Sequence, residues 1–142
     1  MGSRILSKTF PSELYNVKNT VIEIMDFIQK KISNISRNDY CELKLIYSEL
    51  LINAVIHGNE NNAEKKVHMY TEILPDNTII AKIADEGAGF DFSSLSSPAE
   101  ESIMDMEDHG RGICLVISLT DGFSYNEKGN EVKFKKRVKS DG

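Results

Sequence analysis

Residues 66–84 read KVHMYTEILPDNTIIAKIA, and the spacing of their apolar side chains decides the fold class. From Lys66 the apolar positions recur every second residue, the period of a half-buried strand. Val67 to Leu74 reads as one strand and Thr78 to Ala84 as a second. Pro75-Asp76-Asn77 between them is turn chemistry, so the segment is a hairpin.

Upstream, the period is helical. Leu14, Val17, Val21, Ile24, Ile28 and Ile32 recur at three- and four-residue steps and form one stripe on a helix running to about Lys31. Pro11-Ser12-Glu13 reads as its start, with Ser12 as the expected N-cap. Asn34 to Asn38 break the pattern. A second helix is expected from about Asp39 to His57, with Leu43, Ile46, Leu50 and Ala54 on its core face and Gly58 placed to end it. Arg4 to Phe10 alternates weakly and reads as an edge strand.

Downstream of the hairpin comes the glycine-bearing loop Asp85-Glu86-Gly87-Ala88-Gly89. Residues 91–109 are polar and acidic without periodicity, and a loop of that length inside a compact domain is functional or disordered. Gly110-Arg111-Gly112 then opens an apolar helix, Ile113 to Leu119. Phe123 to Asn126 and Glu131 to Val138 make a last hairpin around Lys128-Gly129-Asn130. Strands beside segregated helices predict an α+β two-layer sandwich, with a mixed sheet covered on one face by helices.

The bulk properties narrow the function. At 142 residues the chain reads as one domain, 1–142, large enough to bury roughly two-thirds of its unfolded surface without disulfides or metal. A net charge of −5 argues against nucleic acid or an anionic membrane as the main partner, since both call for a basic footprint. Cys41 and Cys114 fit no metal spacing and are expected to be buried free thiols. No apolar stretch is long enough to span a bilayer, and the N-terminus lacks a signal-peptide core, so the expected compartment is the cytoplasm.

Three fragments carry chemistry. Glu49, Asn53 and His57 are spaced i, i+4, i+8 and line one helix face, where a carboxylate suits proton abstraction and an amide oxygen suits Mg²⁺. By itself the trio also reads as a solvated face. Asp85 follows an apolar strand and precedes Gly87 and Gly89. An aspartate there can accept a hydrogen bond from an exocyclic amine, while glycines let the backbone approach a flat base; a plain Asp-Gly turn is the ordinary alternative. Gly110-Arg111-Gly112 precedes a helix, whose N-terminus can bind phosphate, with Arg111 adding charge. Alone it also reads as a flexible loop.

Taken in order, the three resemble the ATP-binding boxes of the GHKL (histidine-kinase-like) ATPase superfamily. Glu49-Leu50-Leu51-Ile52-Asn53-Ala54-Val55-Ile56-His57-Gly58 is similar to the N box, Asp85-Glu86-Gly87-Ala88-Gly89-Phe90 to the G1 box, and Gly110-Arg111-Gly112-Ile113 to the G2 box. The resemblance covers residues 4 to 138. The short chain and the Ser48-Glu49…Asn53-Ala54…His57-Gly58 wording are most similar to bacterial anti-sigma factor serine/threonine kinases.

That resemblance implies a Bergerat-type sandwich with a mostly antiparallel sheet. It implies ATP and Mg²⁺ as cofactors, with Asn53 on the metal and Asp85 reading the adenine amine. Gly87 and Gly89 would floor the base pocket, and Gly110 and Gly112 would anchor the C-terminal end of a phosphate lid over about 91–109. Glu49 would be the general base. The implied partners are a sigma factor or a small anti-anti-sigma antagonist protein, the latter phosphorylated on serine or threonine. A homodimer pairing the Arg4–Phe10 edge is a further expectation. Two alternatives stand beside this reading: a non-catalytic nucleotide-gated binding module, and the catalytic domain of a split histidine kinase. The family often has Gly-Thr before its last strand, with the threonine near adenine; here the stretch is Lys128-Gly129-Asn130-Glu131, so Asn130 takes that place. Lys133, Lys135 and Arg137 alternate with Val132, Phe134 and Val138. The strand thus has a basic outer face, read either as edge protection or as a docking surface for an acidic partner.

Overall fold

The computed structural model of the chain describes residues 4–89 and 108–139, the side chains of 108–111 excepted. Strand β1 (Ile5–Pro11) leads into helix α1 (Leu14–Lys31) and helix α2 (Arg37–Asn53), which runs on into a π-helical turn (Ala54–Gly58). The hairpin β2 (Lys66–Ile73) and β3 (Thr78–Ala84) follows. Then come helix α3 (Asp108–Leu119) and the hairpin β4 (Gly122–Tyr125) and β5 (Glu131–Arg137). The five strands form one sheet in the order β1-β2-β3-β5-β4. The fold is the α+β sandwich expected, but the sheet is not mixed: all four strand pairings are antiparallel.

The central hairpin forms as its sequence dictates. Asn77, at φ 66°, occupies the left-handed region that asparagine tolerates. Its N–H donates to Leu74 O at 2.9 Å, and Asp76 Oδ1 accepts from Thr78 N at 3.1 Å. Period-two burial then directs Val67, Met69, Thr71 and Ile73 to the helix side. α1 buries Val17, Val21, Ile24, Met25 and Ile28 on its apolar stripe. Tyr47 of α2 anchors the layers together. It is fully buried, its hydroxyl lies 2.9 Å from Thr71 Oγ1, and its ring packs edge-on against Phe134 at 5.3 Å. Burial pushes its hydroxyl pKa far up, so it stays neutral.

Several local expectations change. Ser12 is not a helix cap: Glu13 occupies that position, and no side chain caps α1. Ser12 is instead wholly buried, its N–H donating to Lys65 O at 3.0 Å and its Oγ facing Val55 O at 3.5 Å. The side-chain cap is at Ser36, whose Oγ accepts from Asp39 N at 3.1 Å, so α2 starts two residues earlier than its apolar pattern. α3 begins at Asp108, which places Gly110 and Gly112 inside its first turns rather than ahead of it. Cys114 is buried as expected, and desolvation raises its pKa. Cys41 is exposed, since it lies off the Leu43/Ile46/Leu50 face of α2. The expected lid, 91–109, lies outside the described residues as far as 107, as does Phe90, and so does the Arg111 side chain. No helix among the described residues is long and apolar enough to cross a membrane.

Candidate functional site

The site starts where α2 loosens. After Asn53 the helix widens into the π-helical turn, and Asn59 N donates back to Ala54 O at 2.9 Å. Such turns concentrate at functional sites because they re-aim the side chains beyond them. The helical run ends at Gly58 as expected, but not through a left-handed glycine, since Gly58 is not at positive φ. Its role is close approach. A Cβ on Gly58 would fall into the Asp85 carboxylate, and a Cβ on Gly87 would fall into Gly58 O. The end of α2 and the loop after β3 therefore interlock glycine against glycine.

Asn59 holds that joint. It is fully buried, its Nδ2 donates to Lys66 O at 2.9 Å, and its Oδ1 accepts from Glu86 N at 2.8 Å. Nothing in the apolar spacing or the glycine motifs pointed to it. Leaving those two backbone groups unpaired is expected to cost about 2 kcal/mol in an Asn59→Ala variant, a fall of roughly 6 °C in Tm for a chain of this size. Thermal denaturation followed by circular dichroism checks this, and an unchanged midpoint contradicts it.

Asp85 is half-buried at the end of β3. Its N–H donates to Asn130 O at 2.9 Å, and its Oδ1 accepts from Gly87 N at 2.8 Å. Desolvation raises its pKa above the ordinary carboxylate value, against the opposing pull of the Gly87 N–H and of Lys65 and Lys128. Gly89 sits at φ 89°, and a Cβ there would strike Lys128 O. The β4–β5 turn is thereby pressed onto the Asp85 loop. Within that turn Asn126 Oδ1 accepts from the N–H groups of Gly129, Asn130 and Glu131 at 2.8–3.2 Å.

Between these segments lies a cleft of about 580 Å³, counted to its open mouth. Leu50, Ala54, Ile83, Ile113 and Val132 give it an apolar lining, and Asn53, His57, Asp85, Tyr125 and Asn130 supply polar groups. Tyr125 was not singled out from sequence, although its inward position two residues from Phe123 is legible as strand alternation. Burial first, and the Asp85 charge second, hold its hydroxyl neutral.

The structure brings Asn53, Asp85 and Gly89 to this cleft, with Gly87 buried behind it. Glu49 lies one turn before Asn53 and abuts α3: a Cβ on Gly112 would collide with Glu49 Oε2. Gly110 belongs to the same helix, two residues earlier. A ligand with a flat apolar body and an exocyclic amine fits this lining, as the glycine-to-glycine contacts bring backbone close to Asp85. Among the described residues no three His, Cys, Asp or Glu side chains group as a metal cage. Mg²⁺ arriving on a phosphate needs only one or two protein oxygens, and the Asn53 amide at the cleft would supply one.

The histidine kinase-like ATPase domain family matches residues 10–136 of the chain. Over 105 residues the chain is 30% identical to the "Anti-sigma F factor" of Bacillus subtilis (strain 168), covering 71% of each. Over 111 residues it is 32% identical to the "Serine-protein kinase RsbW" of Staphylococcus aureus (strain JH9), covering 73% of this chain and 69% of that one. The RsbU and RsbW domains of Rv1364c from Mycobacterium tuberculosis superpose with a TM-score of 0.65 at 13% identity. That match covers 94% of this chain, which spans about a third (32%) of the other. The histidine kinase domain from Erythrobacter litoralis EL346 superposes with a TM-score of 0.52 at 14% identity, covering 86% of this chain and 61% of that one.

Proposed function

Because the chain belongs to the histidine kinase-like ATPase domain family, we propose that it is an ATP-dependent serine/threonine protein kinase that phosphorylates a small antagonist protein and restrains a sigma factor. The names of the relatives support the anti-sigma kinase class. The observation that carries the transfer step is Glu49, one helical turn before Asn53 and against Gly112.

In this reading residues 1–142 act as one nucleotide-binding domain. Adenine lies in the apolar cleft and donates its amine to ionised Asp85. Gly87 and Gly89 keep side chains off the base. Asn130 stands where the family often has threonine, and its Nδ2 faces Gly87 O at 3.5 Å. Asn53 offers an amide oxygen to Mg²⁺, which supplies charge neutralisation to the triphosphate when bound. Gly110, Arg111 and Gly112, in the first turns of α3, face the phosphates. The partner's serine or threonine oxygen bonds to the γ-phosphorus, the bond to the β–γ bridging oxygen breaks, and ADP departs. Glu49 receives the hydroxyl proton. β1 is a sheet edge, and its pairing across a homodimer belongs to the same reading.

The test is incubation with labelled ATP, Mg²⁺ and the candidate antagonist. Acid-stable phosphate on the antagonist is expected; acid-labile phosphate would replace this reading with histidine transfer, and no phosphate would remove it.

Nucleotide recognition has its own test. Asp85→Asn is expected to weaken ATP binding by about 2–3 kcal/mol, roughly 30- to 150-fold in Kd, because the amide replaces a charged acceptor. Isothermal titration calorimetry reads the change, and undiminished heat contradicts the assignment. The wild type adds a pH dependence. Burial raises the Asp85 pKa, so the carboxylate is lost at a higher pH than an exposed one as the solution is acidified. ATP affinity is therefore expected to fall on acidification before exposed carboxylates titrate, and Asp85→Asn flattens that fall.

A further inference from the structure

The sheet face opposite the cleft carries a row of cations. Strand alternation fixes it. Ile83, Val132 and Tyr125 line the cleft, so their neighbours Lys82, Lys133 and Ser124 point the other way and are exposed. The register sets Lys82 directly opposite Lys133, and Lys133 opposite Ser124. Lys135, also exposed, lies opposite Ile80. Lys82 Nζ rests 5.9 Å from the centroid of the Tyr70 ring.

Among the described residues, none of Lys82, Lys133 and Lys135 has a carboxylate partner. Glu131 shares the face at the far end of β5, opposite Ala84, and two other acids there have partners of their own. Glu72 accepts from the Tyr70 hydroxyl at 2.9 Å, and Glu86 lies 3.1 Å from His68. Like charges directly opposite on neighbouring strands destabilise a sheet. Here they persist in a chain with 22 acidic against 17 basic residues, so acids outnumber bases while this face is basic.

We propose that this outer face docks an acidic polypeptide segment of a partner protein, separately from the cleft. Charge complementarity selects the occupant. A second copy packed face to face would set each lysine row against its own image. A nucleic acid would meet the repulsion of a chain with net charge −5. Ile80 and Tyr70 interrupt the cationic row with half-buried apolar surface, which suits alternating acidic and apolar side chains.

The test uses nucleotide-free protein, so it stands or falls independently of ATP binding and phosphoryl transfer. Fluorescence anisotropy follows a labelled peptide of alternating glutamate and valine. The wild type is expected to bind it at low ionic strength. Lys133→Glu with Lys135→Glu weakens binding at least tenfold without lowering Tm. Lys18→Glu with Lys44→Glu, exposed positions on the helices that make the same change in net charge, leaves binding intact. The proposal is overturned by no wild-type binding, by equal loss in both double variants, or by tighter binding of single-stranded DNA of equal charge. It is also overturned if sedimentation shows that Lys133→Glu with Lys135→Glu disrupts a dimer present in the wild type.

Discussion

Glu49→Gln is expected to lower the rate of partner phosphorylation by about 10²–10⁴-fold, the usual contribution of a positioned general base, while leaving ATP affinity within about twofold of wild type. The physical case rests on shape. Glutamine matches the volume of glutamate, so the contact with Gly112, where even a methyl group would collide with Glu49 Oε2, is preserved. What changes is the capacity to take a proton from the attacking hydroxyl. In the proposed reading the nucleotide is held through Asn53 and Asp85 instead, and neither is altered. Single-turnover phosphorylation measured alongside calorimetry separates the two quantities. An unchanged rate would remove Glu49 from the chemistry and favour the nucleotide-gated binding module, in which partner control needs no proton acceptor. A rate loss matched by lost ATP affinity would instead indicate damage to the α2–α3 contact.

Lys136→Met is expected to destabilise the fold by about 2–3 kcal/mol, toward the lower end of what breaking a buried ion pair costs, because Glu42 keeps a side-chain exposure of 26%. Lys136 is only 7% exposed and is the one inward-facing cation of β5. Its ammonium donates to Glu42 Oε1 at 2.9 Å and to Leu119 O at 2.7 Å. One side chain thus ties α2, the last turn of α3 and the sheet. It also places positive charge at the negative end of the helix that carries Gly110 and Gly112. Thermal denaturation should show a fall of roughly 6–9 °C. Lys136→Met combined with Glu42→Leu should recover most of it, since an apolar pair of similar volume removes both the stranded charge and its desolvation. If the double variant melts no higher than the single one, the loss lies in the bond to Leu119 O rather than in the ion pair.

How much of this was legible depended on the range of the interaction. The stripe of α1 and the β2–β3 hairpin follow from apolar period alone, because a side chain that repeats on one face must bury that face. The glycines at 58, 87, 89 and 112 were visible as motif members, but their physical task was not. Sequence suggested that Gly58 stops a helix, which it does, and that Gly112 precedes one, which it does not. Folded, each is a place where another segment comes too close for a Cβ: Asp85 at Gly58 and Glu49 at Gly112. Cys41 read as buried because its neighbours are apolar, yet it lies off their common face.

The sequence by itself determined the elements, their order, the α+β class and the family, since these depend on short-range period, turn chemistry and three spaced motifs. Only the tertiary structure decided that Asn59 locks the end of α2 to the Asp85 loop, that Tyr125 joins the cleft and that Lys136 bridges three elements. It also decided that Lys82 faces Lys133 across the outer sheet. Each of those relations joins residues distant in the chain through strand register or a π-helical turn. A shift of one residue would turn the same side chains to the opposite face, and local spacing carries no record of which register the core selects.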